Sequence, residues 1–504
     1  MPIIGINTTY DVPGVYVTED TYGAVPNSLA SYNSVYMIGY GSNPIAPASV
    51  PTYITSTDDF YNTFGVSSSA ASVELFFTQR SGVGLWFVHV PTKERYTITV
   101  PTATVGAAYT LTIDGYAVTY TAVTGDTPAS IIAGLAKAVN TKAIHIAYVQ
   151  SAILLVNPGL AVSATANITL GAKVNAPAYP TVMDAIATIN KAFDPGMRQG
   201  FLLAPEFFQN YTQQTDRIAL AGAMEALCSD PKYNWTALID CGQAVATQTT
   251  AAGAVNLAIA ERNLLSSPRG HSAYFFPYWS NVVGELVPMS ASVAGIALRR
   301  YRDQGYRQPP AGIRYPVYGV VDTSYPITDK VQAVLNPIGI NCGRRLPAGK
   351  GTVIYGARTL STSPYYRFIP TRVVLNVLEG TLLRSFDDLI FTSIDGQGEL
   401  FGRVKATASG ICETLRQGGA LFGATPDEAY LVICDKTNNP PNALEAGDVF
   451  VDVVVKPSPT LEALVIRVTR ASLGTDLSEI AGSGDTGDIQ NVAKTSTSTG
   501  KPVA

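Results

Sequence analysis

The sequence has few charged side chains. Asp, Glu, Lys and Arg make up 14% of its 504 residues, whereas about 25% is typical of soluble proteins. A soluble chain with so little charge is expected to have much of its surface covered by copies of itself. The net charge of −4 argues against a nucleic-acid-binding protein, because the neutralisation of phosphates needs clustered Lys and Arg. We therefore expect no direct contact with nucleic acid.

Cysteines and long apolar runs are also scarce. The five cysteines are an odd number and show no Cys-x-x-Cys spacing, so neither a disulfide framework nor a zinc site is predicted. They are typical of buried thiols in a reducing cytoplasm. No apolar run approaches the ~18 residues that a membrane span needs. The N-terminal residues lack the basic region and apolar core of a signal peptide, so we expect neither secretion by that route nor membrane insertion.

Residue patterns typical of catalysis and of metal binding are missing as well. The sequence has three histidines, and no Gly-x-Ser-x-Gly nucleophile elbow accompanies any of them. The glycine-rich segment 418–423 matches neither phosphate-binding motif and is better explained as the end of a helix. Asp395 and Glu399 supply too few carboxylates for an EF-hand loop, so we interpret them as part of a surface turn. We expect no catalytic residue, no cofactor and no metal.

Apolar strands alternate with helices in two separate blocks of the chain. Strands predicted at 35–40 and 84–90 flank a helix predicted at 70–80, and the same alternation resumes much later in the sequence. Continuous apolar strands that alternate with helices indicate a parallel sheet covered on both faces. We predict one α/β domain that is split into residues 26–95 and 174–310.

The segment between the two blocks, residues 96–173, is almost uncharged and rich in Thr, Val, Ala and Tyr. Residues on either side of Asp114-Gly115 alternate between apolar and polar with a period of two, which predicts a β-hairpin. A helix follows, with Thr127 as the N-cap and Pro128 as the first helical residue. We predict a small β-rich module inserted into the α/β domain, on its outside.

The pair Pro309-Pro310 predicts the start of a further domain. This C-terminal domain, residues 311–459, contains an apolar strand at 352–355 that ends in a turn presenting Arg358. The predicted fold class is therefore a multidomain α/β plus α+β protein, with a split α/β domain, an inserted β-rich module and a C-terminal α+β domain.

An isolated strand is predicted near each end of the chain, in an N-terminal arm at 1–25 and a C-terminal arm at 460–474. The two strands contain Val15, Tyr16, Val17 and Thr18, and Leu464, Val465, Ile466, Arg467 and Val468. A lone strand cannot satisfy its own backbone groups. The two strands could pair within one subunit, or each could complete a sheet in a neighbour by strand addition. Proline-bounded linkers and the low charge favour exchange, and the tail at 475–504 is predicted to be flexible.

One basic patch with interleaved tyrosines lies before the C-terminal domain. Its arginines are Arg299, Arg300, Arg302 and Arg307. Three interpretations stay open: a solvated helix end whose arginines suit the helix dipole, contact with an acidic partner subunit, or contact with nucleic acid.

An ordered set of residues in the second half of the chain forms a specific motif. It contains Leu335, Asn336, Gly339, Asn341, Gly356, Arg358 and Thr359, followed by a predicted helix, the glycines of 418–423, Asn438-Asn439 and Gly447. The N-terminal sequence Pro13-Gly14-Val15-Tyr16-Val17 matches as well. Together these residues resemble the contractile tail sheath proteins of bacteriophages.

The resemblance implies a structural role. Sheath proteins polymerise as stacked rings around an inner tail tube and contract to drive the tube through the host envelope for genome delivery. The implied partners are copies of the chain, the inner tube protein, and the baseplate and tail terminator proteins. The implied location is the tail of the virion, after assembly in the cytoplasm of the bacterial host.

Two alternatives remain at this point. The sheath could belong to a phage-derived bacteriocin or injection device, which the sequence does not distinguish from a virion. The chain could also be an α/β hydrolase with an accessory β domain, in which Asp240 and His271 would pair. Similarity of fold is no evidence for that chemistry.

Overall fold

The computed structural model describes residues 29–43, 46–92, 95–113, 115–141, 147–150, 153–156, 162–174, 179–248, 250–347, 351–462, 464 and 466. The chain divides into a compact unit of residues 1–460 and a second unit of residues 461–504. The arm strand residues Val15, Tyr16, Val17, Thr18, Val465, Arg467 and Val468, and the tail 475–504, lie outside the described residues. In the second unit, the described Leu464 and Ile466 are exposed and have no strand assignment.

The first unit is built on one eight-stranded sheet. Its strands in chain order are β1 (Ser34–Gly39), β2 (Thr52–Ile54), β3 (Leu85–His89), β4 (Gly200–Leu203), β5 (Thr236–Asp240), β6 (Ser272–Phe276), β7 (Ile340–Arg345) and β8 (Thr352–Tyr355). They lie in the order β8-β7-β6-β5-β4-β1-β3-β2. The strands from β7 to β3 are parallel, and the edge strands β2 and β8 are antiparallel to their neighbours. The pairing of β1 with β4 joins the two predicted blocks into one parallel sheet.

Helices cover both faces of the sheet. Outside the inserted segment, the helices of the described residues are Thr57–Phe64, Ser69–Thr78, Val182–Ala192, Pro205–Asn210, Gln214–Ser229, Gln243–Ala246, Ala251–Asn263, Ser290–Gln304, Asp329–Leu335, Ile369–Phe386, Glu399–Gln417, Pro426–Ala429 and Pro441–Ala446. Short 3₁₀ turns occupy Asn336–Ile338, Pro364–Tyr366 and Asp387–Leu389. Successive strand residues alternate between the two cores: Leu238 is buried on one face and Ile239 on the other. No helix in the described ranges is long and apolar enough to cross a membrane.

The segment 95–174 forms a module with its own apolar core. Its strands are Arg95–Thr99, Ala108–Ile113, Tyr116–Thr121, Ala147–Gln150, Ile153–Val156, Val162–Ala164 and Thr169–Val174, and its helix is Pro128–Thr141. The hairpin predicted around 114–115 pairs Ala108–Ile113 with Tyr116–Thr121. The Thr127 hydroxyl accepts a hydrogen bond from the Ser130 backbone N–H (3.2 Å), the geometry expected of an N-cap.

Residues beyond the predicted boundary at 311 also contribute to the central sheet. Strand β7 pairs with β6 through Tyr274 and Ile340, so the sheet does not end at that boundary. Two smaller sheets complete this part of the fold. One has three strands, Trp279–Asn281, Leu286–Val287 and Val320–Thr323, and the other has two, Tyr430–Ile433 and Asp452–Val455.

Candidate functional site

The motif residues meet where the last strands of the central sheet approach the turn after β8. Asn341 is fully buried in β7. Its amide Nδ2 donates to the backbone carbonyls of Tyr274 (3.1 Å) and Arg358 (2.7 Å), and its Oδ1 accepts from the Arg358 N–H (2.7 Å). The side chain thus acts as an additional peptide group that joins the turn to the sheet. We call the seven motif residues the motif cluster.

Two glycines permit these close approaches. Gly339 has a φ of +84°, and a Cβ there would lie 2.7 Å from the Thr359 carbonyl oxygen. A Cβ at Gly356 would lie 2.9 Å from Asn341 Oδ1. Both positions therefore exclude a side chain, the first also because of its left-handed backbone.

The remaining motif residues tie the turn to its surroundings. The Arg358 guanidinium donates to the carbonyl oxygen of Asn336 (3.0 Å). Thr359 donates through its hydroxyl to the Tyr366 carbonyl (2.6 Å) and through its backbone N–H to that of Arg367 (2.8 Å). Leu335 is buried in the core. The motif cluster thus links the edge of the sheet to the segment that precedes helix Ile369–Phe386.

Sequence analysis missed one further member of this network. Arg262, at the end of helix Ala251–Asn263, is 8% exposed. Its guanidinium donates to the carbonyls of Ile338, Leu265 and Leu360. The available signal was a charged pair, Glu261-Arg262, in an otherwise Ala-rich helix, which is unusual unless the charges are satisfied internally.

The interpretation of Arg299 and Arg300 as parts of a patch for an acidic partner is wrong. Arg299 is 7% exposed and donates to the carbonyls of Gln79 (3.0 Å) and Pro316 (3.1 Å). The Arg300 guanidinium donates to carbonyl oxygens of residues 309 and 311 and to two glutamine side chains. Both groups are therefore occupied within the subunit.

The other two arginines of the patch lie nearer the surface. Arg302 is more than half exposed and pairs with Asp303 at 3.0 Å. Arg307 donates to the Gly418 carbonyl at the end of helix Glu399–Gln417. That helix end confirms the interpretation of the 418–423 glycines. Contact of Arg302 and Arg307 with an acidic partner stays a prediction.

The first described residues of the chain lie beside helix Ile369–Phe386. The Ala30 N–H donates to the Thr381 hydroxyl (2.9 Å). The buried Tyr32 hydroxyl donates to the Thr236 hydroxyl (2.8 Å) and accepts from Asn376 Nδ2 (3.3 Å). Ala30 and Tyr32 are thus held in the body of the subunit by hydrogen bonds.

The small sheet of Tyr430–Ile433 and Asp452–Val455 has one apolar face in the open. Leu431 and Val454 are opposite each other and are 55% and 57% exposed. Val432, on the other face, packs into the main core. We call this pair of strands the two-stranded sheet. Within the described residues it has two strands only, so it offers edges with which a further strand can pair.

The position where open α/β sheets bind ligands is filled by the protein itself. In this sheet the strand order reverses between β1 and β4, and ligands of such folds bind at the carboxyl ends of the strands there. Here the buried Glu206 carboxylate accepts from the Tyr40 N–H (2.7 Å) and from the hydroxyls of Ser68 (2.6 Å) and Ser69. Burial raises the pKa of this carboxyl.

Asp240 and His271 lie at opposite ends of neighbouring strands. Asp240 ends β5 and is level with Phe275 of β6, whereas His271 precedes the first residue of β6. Four strand residues separate the two positions by about 13 Å. Asp240 instead accepts from the N–H (2.8 Å) and hydroxyl (2.5 Å) of Ser290, at the start of helix Ser290–Gln304.

Asp395 has a structural role at the surface. Its carboxylate accepts from the backbone N–H groups of Gln397 (2.9 Å), Glu399 (2.9 Å) and Leu400 (2.7 Å). These bonds lower the pKa of the Asp395 carboxyl. The carboxylate therefore stabilises the turn that starts helix Glu399–Gln417, as predicted.

Two further carboxyl groups with a raised pKa, the buried Asp240 and the half-buried Glu225, make the stability of the subunit depend on pH. Burial raises the pKa of Asp240 and of Glu225 to about 7 each, although serine hydroxyls donate to both. A carboxyl whose pKa is higher in the folded than in the unfolded state stabilises the fold fully below about pH 4. That contribution is lost as the pH rises through about 7. We expect the free energy of unfolding to fall by roughly 2–3 kcal/mol per group between pH 5 and 8.

Urea unfolding at several pH values checks this expectation. Asp240→Asn keeps the shape of the side chain but cannot ionise, so the fall in unfolding free energy between pH 5 and 8 should be smaller by roughly 2–3 kcal/mol, and smaller again by a similar amount with Glu225→Gln. Asp448→Asn, at an exposed position, serves as the control. An unchanged slope in both the Asp240 and the Glu225 variants would contradict the assignment.

Comparison with known proteins adds independent information. No family model matches the chain. The chain is 25% identical over 212 residues to the tail sheath protein of Enterobacteria phage T4, a match that covers 40% of this chain and 30% of that protein. It is 26% identical over 204 residues to the tail sheath protein of Vibrio phage KVP40, covering 39% and 28%. The match thus spans less than a third of the length of these curated relatives.

A solved structure extends the likeness over nearly the whole chain. The sheath complex of an extracellular contractile injection system, PVC, in its contracted state matches with a TM-score of 0.56 and 18% identity, over 94% of this chain and 99% of that chain. This match shows the fold, a mixed α/β architecture with several sheets. The sequence matches and the fold together confirm that the chain resembles the contractile tail sheath proteins.

Proposed function

We propose that the chain is the structural subunit of a contractile tail sheath. It polymerises around an inner tail tube and contracts to drive the tube through the host envelope for genome delivery. The observation that carries this proposal is the likeness to two phage tail sheath proteins in a chain that has the sheath fold over 94% of its length. The inner tube, baseplate and tail terminator proteins would be its partners in the virion, after assembly in the host cytoplasm.

The domain organisation belongs to this proposal. Residues 26–95 and 174–310 would form the split α/β domain, and residues 96–173 the inserted module. Residues 311–459 would form the C-terminal domain that keeps neighbours connected. The separate core of the inserted module supports its independence.

Connection between neighbours would come from exchange of the two arms. The two-stranded sheet would be the acceptor, because it has only two strands within the described residues and an arm strand could pair with one of its edges. A strand of five or six residues adds several backbone hydrogen bonds, each worth about 0.5–1.5 kcal/mol net. The free energy gained at one junction is small, but the junctions repeat along the tube and would connect all of its subunits.

The free energy for contraction would come from packing between subunits. Larger contacts in the contracted lattice would replace smaller ones, in a transition between two discrete arrangements. No nucleotide is needed, and the filled crevice at Glu206 supports a role without a bound substrate. The relatives named above are tail sheath proteins.

A second candidate is the sheath of a phage-derived bacteriocin or injection device. The match to the sheath of an extracellular contractile injection system favours it. The two candidates differ in their surroundings rather than in the subunit, so capsid genes beside this gene would indicate a virion.

Electron microscopy of the purified protein tests the proposed function. A sheath subunit should form rings or long cylinders in negative stain. An α/β hydrolase with an accessory domain should instead elute as a small oligomer and form no cylinders. Uniform small particles at all concentrations would contradict the proposal.

A further inference from the structure

A short hairpin presents two adjacent valines to solvent. Val282 and Val283 are 72% and 75% exposed and form the tip between the strands Trp279–Asn281 and Leu286–Val287. Turn positions of this kind usually carry Gly, Asn, Asp, Ser or Pro. Two β-branched apolar residues there are unusual and indicate a contact surface. We call residues 281–285 the valine tip.

Hydrogen bonds hold the valine tip in one conformation. Asn281 Oδ1 accepts from the backbone N–H groups of Val283 (3.1 Å) and Glu285 (2.8 Å). The Asn281 N–H donates to the Glu285 carbonyl (2.9 Å), and the Gly284 N–H donates to the Asn281 carbonyl (3.1 Å). A preorganised tip loses little conformational entropy when it binds.

A cleft of about 590 Å³ lies elsewhere in the same unit. Its apolar wall consists of Leu382, Leu383, Phe386, Ile390, Val451 and Val453. Leu383 and Ile390 are 53% and 66% exposed, so the wall is open to a ligand. Val453 belongs to the two-stranded sheet, which places the cleft beside the proposed arm acceptor.

One charge of the cleft complements a charge of the valine tip. Arg372 is paired with Glu379 at 2.8 Å, and Asp387, the second carboxylate of the lining, makes no ion pair with a described residue. Arg269 also lines the cleft and makes no ion pair with any described residue. The valine tip carries an exposed carboxylate, Glu285, which can serve as the negatively charged partner of Arg269.

The two features lie at opposite ends of the strands of the central sheet. The hairpin follows the carboxyl end of β6 directly. The cleft is lined by Asn234 and His271, which precede the amino ends of β5 and β6. The tip and the cleft of one subunit are therefore on different sides of its central sheet. A contact between different surfaces on opposite sides is heterologous, and heterologous contacts form rings or open helical polymers.

We propose that the valine tip of one copy inserts into the cleft of the next copy, with Val282 and Val283 against Leu383 and Glu285 near Arg269. This contact rests on the proposed function and adds a specific interface between subunits. It does not require the arms to form, because both surfaces belong to the described body of the chain, although Val453 of the cleft also lies in the proposed arm acceptor.

Polymerisation of full-length variants tests the contact. Val282→Ser/Val283→Ser should raise the critical concentration for polymer formation by about tenfold or more. Its melting temperature should not change, because both side chains are exposed. Val66→Ser is the matched control, since Val66 is 74% exposed in a different loop and should polymerise as the unchanged chain does.

Cross-linking decides which surfaces meet. A mixture of Val283→Cys and Leu383→Cys chains should form disulfide-linked dimers on oxidation, whereas Val66→Cys mixed with Leu383→Cys should not. The five native cysteines are buried and should not react. Unaltered polymerisation of the valine variant together with no specific cross-link would overturn the contact. If the unchanged chain forms no polymer, the proposed function fails instead, and the cross-link at high concentration still tests the contact.

Discussion

Deletion of residues 1–20 is expected to leave a folded, soluble subunit that no longer assembles. The central sheet starts at Ser34, and the anchoring hydrogen bonds of Ala30 and Tyr32 lie beyond the deleted residues. The truncation therefore spares the described body. It removes the N-terminal strand that we propose to complete the sheet of a neighbour, and so every junction of the polymer loses that strand.

Circular dichroism and light scattering measure the two parts of this expectation. The melting temperature of the truncated chain should match that of the full-length chain below its polymerisation threshold. Scattering should show no polymer at concentrations at which the full-length chain forms cylinders. Deletion of residues 490–504, in the predicted flexible tail, is the control and should leave assembly intact. Normal cylinders from the 1–20 deletion would refute the exchange of the N-terminal arm.

Replacement of Asn341 by alanine should destabilise the subunit by about 2–4 kcal/mol. Asn341 is fully buried, and its amide makes three hydrogen bonds to backbone groups of Tyr274 and Arg358. Alanine would leave one buried N–H and two buried carbonyls without these bonds. The effect is large because several buried groups lose their partner at once.

Urea denaturation checks the change in unfolding free energy. Asn263→Ala is the matched control, because Asn263 is exposed at the end of helix Ala251–Asn263 and should change stability by less than about 0.5 kcal/mol. Equal unfolding midpoints for Asn341→Ala and Asn263→Ala would show that the motif cluster has no part in holding the turn to the sheet.

The parallel sheet was predictable because its signal is local. Runs such as 35–40 and 84–90 are apolar throughout, which a strand buried on both faces requires. The order of the motif residues was also evident from the sequence, but the contacts that require these residue types were not. Asn341 and Gly356 are far apart in the sequence, and only the fold shows that the glycine gives the amide room.

The arginine patch shows where local patterns fail. The cluster of arginines and tyrosines was interpreted as a surface, yet Arg299 lies over the rings of Tyr315 and Tyr318 and donates to the carbonyl of Gln79. That carbonyl is 220 residues away in the sequence. No periodicity or composition reports such a partner. The same holds for the sheet, which continues past the boundary predicted at 311 through the pairing of β6 with β7.

The destination of the two arms is the central claim, and an electron cryomicroscopy map of the assembled particle that traces both termini tests it most directly. We predict that residues 15–18 and 464–468 form strands beside Tyr430–Ile433 and Asp452–Val455 of adjoining copies. A map in which both terminal segments fold back onto their own subunit, with no density passing to a neighbour, would contradict the account.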